Sequence, residues 1–85
     1  MTELTVEGFG TGNLVELLQE LFGFPDDRLG PMTTLGELEL DSLALMELGA
    51  VVEERTGLEV ASRLTGLSGS ESLERVAGMI AGVAA

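Results

Sequence analysis

Leu14, Leu17, Leu18 and Leu21 recur at i, i+3, i+4 and i+7, a spacing that gathers apolar side chains on one stripe of a helix. They predict a helix from about Asn13 to Phe22, stopped by Gly23 and Pro25. Upstream, Gly8, Gly10 and Gly12 lower helix propensity, so Leu4, Val6 and Phe9 are expected to fold back onto the rest of the chain. Leu73, Val76, Ala77 and Ile80 repeat the stripe near the end. Ser68 and Glu71, three residues apart, are placed as a capping box for this last helix, which frays through Ala84.

Between these lies the most informative helix, Asp41 to Arg55. At about 100° per residue, Leu45, Leu48 and Val52 fall on one side with Ala44 and Gly49 at its edges, and that side is core. Leu43, Met46 and Ala50 form a second apolar strip on the opposite side, bordered by Glu47, Glu53 and Glu54. The connection from Gly23 to Leu40 holds Pro25, Gly30, Pro31 and Gly36, which punctuate regular structure, and a loop of this length in a compact domain is often functional. Leu29, Met32, Leu35 and Leu38 are expected to pin it to the core, with Thr34 and Glu37 capping one short turn. Ala61 to Gly66 offers one more brief helix. The chain is therefore expected to be all-α, a small bundle of three longer helices and a short one, with Leu17, Leu21, Leu48, Val52, Val76 and Ile80 meeting in its core.

Length and composition narrow the function. Eighty-five residues suffice for one domain, residues 1–85, with one modest core. There is no Cys, His, Trp or Tyr, so disulfides, thiolate sites, the usual general base and the commonest transition-metal ligand are all missing. Fifteen acidic residues face four basic ones, all Arg, for a net charge of -11. Such a surface repels nucleic acid and anionic membranes and attracts proteins with basic patches. No apolar run reaches the roughly 20 residues of a membrane span, and no Arg-rich apolar leader is visible. The expectation is a cytoplasmic monomer.

Asp41-Ser42 opens the central helix directly after the long loop. Asp is a favoured N-cap, because its carboxylate accepts a backbone N–H that lacks a helical partner. As a nucleophile Ser42 would need a base, yet the chain contains neither His nor Lys. Ser42 is better suited to be a substrate than an attacker, and the positive end of a helix tolerates a phosphate ester.

Leu35-Gly36, then Asp41-Ser42-Leu43 and a Glu-rich helix, resemble the signature of acyl carrier proteins. The resemblance covers roughly Leu14 to Val83 and implies an acyl-carrier-like four-helix bundle. It implies that Ser42, flanked by Asp41 and Leu43, receives 4′-phosphopantetheine from coenzyme A through a phosphopantetheinyl transferase, and that the protein carries acyl groups and is not an enzyme. Asp41-Ser42-Leu43-Ala44-Leu45-Met46-Glu47 is most similar to the discrete carriers of type II polyketide synthases, and the Arg-without-Lys, Gly- and Ala-rich composition suits a high-GC bacterial genome. The partners so implied are ketosynthases, acyltransferases and tailoring enzymes with basic docking patches. They would meet Leu43, Met46 and Ala50 as contact area and Glu47, Glu53 and Glu54 as steering charge. An apolar refuge for the acyl chain is expected near Met32, Leu45 and Met46.

The chain departs from the family pattern at two places. Glu39 and Leu40 stand where Gly usually precedes the Asp, and Ala61-Ser62-Arg63-Leu64 has no acid where the short helix is commonly acidic. The alternatives are a fatty-acid carrier, an aminoacyl or peptidyl carrier, or an unmodified acidic interaction module in which Asp41 and Ser42 only cap a helix.

Overall fold

The structure is a computed structural model that describes residues 9–84, so the part expected of Leu4 and Val6 lies outside the described residues. Phe9 is buried, as the folding-back reading required. Four helices follow in order: α1 (Thr11–Phe22), α2 (Ser42–Thr56), α3 (Ala61–Thr65) and α4 (Leu73–Ala84), with a single 3-10 turn at Asp26–Arg28. The expected all-helical bundle of three longer helices and one short one is what forms. α3 lies along α2, while α1 packs on α4 and, less extensively, on α2.

Helix ends are set by local hydrogen bonding. α1 begins two residues before Asn13 because the Asn13 side chain accepts the Gly10 N–H at 2.9 Å, closing the first turn from within. Gly23 and Gly57 end α1 and α2 in the left-handed region, at φ 72° and 79°, where a Cβ would crowd the backbone. The Thr34–Glu37 cap forms as expected: the Thr34 N–H donates to Glu37 Oε1 at 3.2 Å and the Glu37 N–H to Thr34 Oγ1 at 3.2 Å.

Three expectations are corrected. Ser68 and Glu71 do not cap α4. Their neighbourhood is tied to the long loop by Leu35 N–H to Glu71 O at 3.0 Å and Leu73 N–H to Thr33 O at 2.8 Å, so the helix starts only at Leu73. Ser72, buried and unremarked in the sequence, caps it by accepting the Arg75 N–H at 3.2 Å, while Ser68 bonds Ser70. Met32 does not pin the loop: it sits at the tip of the turn closed by Thr33 N–H to Gly30 O and is 71% exposed, whereas Leu29, Leu35 and Leu38 are buried. Leu21 is also outside the core, 36% exposed in the last turn of α1, where the chain turns away at Gly23.

The remaining core residues, Leu17, Leu48, Val52, Val76 and Ile80, are at most 1% exposed and share one cluster with Leu14 and Leu64. Leu48→Ala is therefore expected to cost about 2–5 kcal/mol in chemical denaturation, a large share of a small domain's stability; a loss under 1 kcal/mol would mean the side chain is not enclosed. Two glycines test the packing with opposite signs. A Cβ on Gly49 would lie 2.5 Å from Ala61 Cα, so Gly49→Ala should destabilise by about 1–3 kcal/mol despite its better helix propensity. Gly78, exposed on α4 with nothing within 4 Å, should gain roughly 0.5–1 kcal/mol on becoming Ala.

Candidate functional site

The site is built by two caps placed back to back. The turn Leu35–Leu38, opened by Thr34, is closed by Leu40 N–H to Leu35 O at 3.2 Å and Glu39 N–H to Gly36 O at 3.0 Å, the crossed pair of a left-handed helix cap. Glu39 occupies the left-handed position of that cap with φ 55°, a conformation that costs a side-chain-bearing residue roughly 1–2 kcal/mol. Leu40 turns inward, half-buried against the core. Asp41 then takes extended backbone and caps α2, its Oδ1 accepting the Ala44 N–H at 2.8 Å while its carbonyl accepts from Leu45 N–H at 2.9 Å.

Ser42 is thereby the first residue of α2 and is exposed. Among the described residues nothing hydrogen-bonds its hydroxyl, and the N–H groups of Ser42 and Leu43, the two that Asp41 leaves over, have no partner either. A phosphodiester attached at this oxygen would displace no bond the fold uses and would meet two unspent donors at the positive end of a helix. The residues present thus fit the group that the resemblance implies.

Below Ser42, Leu43 (64% exposed), Met46 (54% exposed) and Ala50 stand in water, with Glu47 and Glu54 exposed beside them. These five recur at i, i+3, i+4, i+7 and i+11, so they share one outward stripe. Glu53 does not join them. It is half-buried on the flank toward α3, and its carboxylate accepts the Ala61 N–H at 3.1 Å, capping the short helix that Gly49 lets approach. Of the residues expected near the refuge, Leu45 is buried while Met32 and Met46 face solvent. A small cavity of about 160 Å³ lies elsewhere, lined by Leu67, Glu71, Arg75, Val76 and Met79. Among the described residues no cluster of acids is placed to hold a metal, and no helix is long and apolar enough to cross a membrane.

Sequence reasoning missed the roles of Glu53 and Ser72. Glu53 accepts from the backbone of Ala61, eight residues on, which packing of α3 on α2 brings to it. Ser72 accepts from Arg75, three residues on, a local cap that a Ser directly before the stripe of α4 made legible as an alternative to Ser68.

No curated protein and no solved structure matches the chain. Residues 13–80, however, match the family model described as the phosphopantetheine attachment site, a span that runs from α1 into α4 and includes the whole arrangement around Ser42. The chain belongs to the phosphopantetheine-binding carrier family, whose members carry 4′-phosphopantetheine covalently and are carriers served by a transferase and partner enzymes, not enzymes themselves.

Proposed function

We propose that the chain is a discrete acyl carrier of a type II polyketide synthase, modified on Ser42 and passing acyl or polyketide intermediates between separate enzymes. One arrangement carries this reading: an exposed, unengaged hydroxyl at the start of α2, followed down the helix by Leu43, Met46 and Ala50 and edged by Glu47 and Glu54. The choice of polyketide over other pathways rests on the likeness of Asp41-Ser42-Leu43-Ala44-Leu45-Met46-Glu47 to carriers of that class.

In the loading step a bond forms between Ser42 Oγ and the phosphorus next to the pantetheine of coenzyme A. The phosphoanhydride P–O bond breaks, and adenosine 3′,5′-bisphosphate leaves with the electron pair. The serine proton goes to a base on the transferase, since this chain has no His or Lys to take it. Once bound, the arm supplies a thiol for thioester linkage. The protein's own work is positional: Asp41 fixes the first turn, the apolar strip gives contact area, and Glu47 and Glu54 steer basic partners and let them leave quickly. The tether keeps the acyl group at high effective concentration for each partner. Those partners are a phosphopantetheinyl transferase, a ketosynthase, an acyltransferase and tailoring enzymes, met by a cytoplasmic monomer.

Incubated with coenzyme A and a transferase, the protein should gain the mass of one phosphopantetheinyl group, and Ser42→Ala should stay at the apo mass while remaining folded. Attachment at Ser62, Ser68, Ser70 or Ser72 instead would sink the assignment. Glu47→Lys should slow that modification about 3–10-fold at low salt, with the deficit shrinking as salt screens it. Glu16→Lys makes the same charge change at an exposed position of α1 and should leave the rate unaltered; equal slowing by both would make the acidity generic.

A further inference from the structure

Glu39 is out of place by the chain's own habits. Three positions among the described residues have positive φ, and each follows a helical turn: Gly23 after α1, Gly57 after α2, and Glu39 after the turn that leads to Ser42. The first two use the residue without a Cβ. The third uses a long charged side chain, which crowds the neighbouring carbonyl and lacks the short reach by which Asn relieves the same conformation. The cap bonds need only its backbone, and its side chain finds no use in the fold: Glu39 is exposed, and no described residue hydrogen-bonds or ion-pairs with its carboxylate. A charged side chain kept at a strained position where the fold needs only backbone is explained by something outside the fold.

Its location says what. Glu39 is held by its own N–H to Gly36 O, and the next residue by Leu40 N–H to Leu35 O, before Asp41 locks into its cap. The backbone that bears the carboxylate is therefore fixed, no more than about 11 Å of chain from Ser42. Resting on Ser42 as the attachment site, we propose that Glu39 is a specificity residue for loading, its carboxylate pairing with a Lys or Arg of the phosphopantetheinyl transferase. The transferase is favoured over later partners for a geometric reason. It must bring the phosphorus of coenzyme A into bonding contact with Ser42 Oγ, so its surface covers the end of this loop. Enzymes that act on the thiol at the far end of the arm need not approach so closely. Glycine would satisfy the backbone better and would leave this contact empty.

The test compares E39Q, E39G and the control E16Q with wild type, by kcat/KM for modification of Ser42 across a salt series and by chemical denaturation. E39Q keeps the strained backbone and removes only the charge; E39G removes both. Both should be loaded about threefold more slowly or worse at low salt, with the gap closing as salt rises, while E16Q matches wild type. E39G should unfold at the same or higher denaturant concentration than wild type, which separates slow loading from a damaged fold. Wild-type loading of E39Q overturns the proposal, and so does slowing confined to E39G, which would assign the effect to the backbone. A wild-type protein that is never loaded sinks the carrier reading itself, a result distinct from equal loading of all four.

Discussion

The geometry of the site depends on a backbone stitch between two loops. The connection from α1 to α2 is long and has little regular structure to satisfy its N–H and C=O groups, which cannot be left unpaired near a core. They are paired across to the segment before α4: Leu35 N–H to Glu71 O, Gly36 N–H to Gly69 O, Leu73 N–H to Thr33 O and Glu74 N–H to Pro31 O, at 2.8 to 3.0 Å. The two segments of this stitch approach so closely that a Cβ on Gly36 would lie 3.0 Å from Gly69 O. With the loop held there, the turn Leu35–Leu38 buries its two leucines, and the caps at Glu39 and Asp41 deliver Ser42 to the surface.

α2 then divides its circumference among three environments. Leu45, Leu48 and Val52 enter the core. Gly49 and Glu53 receive α3, the first by having no side chain and the second by accepting the Ala61 N–H. Leu43, Met46, Glu47, Ala50 and Glu54 are left to solvent. Ser42 is seven and eleven residues before Gly49 and Glu53, so it heads the flank along which α3 is seated. The hydroxyl thus stands between the packed pair of α2 and α3 and an open apolar strip.

Folding draws little on the charged residues. The two ion pairs among the described residues, Arg55 with Glu20 at 2.9 Å and Arg75 with Glu71 at 3.1 Å, are both solvent-exposed, and such pairs contribute little. Burial of leucine, valine and isoleucine carries the stability. The surplus of carboxylates therefore costs self-repulsion and is available for encounter with basic surfaces.

Much of this was determined by the sequence alone. The stripes of α1, α2 and α4 follow from apolar residues three and four apart, and the inward and outward faces of α2 follow from the same period, because a helix maps spacing onto direction without reference to neighbours. Caps made within a few residues, Thr34 with Glu37 and Asp41 with Ala44, were legible for the same reason. What only the tertiary structure decided are contacts between segments distant along the chain: the carboxylate of Glu53 spent on α3, the start of α4 delayed to Leu73, Leu21 and Met32 left outside the core, and Gly49 required by the approach of Ala61. Each turns on which backbone group arrives from elsewhere. Spacing along one element carries no information about that, because the partner is chosen by how whole helices and loops pack.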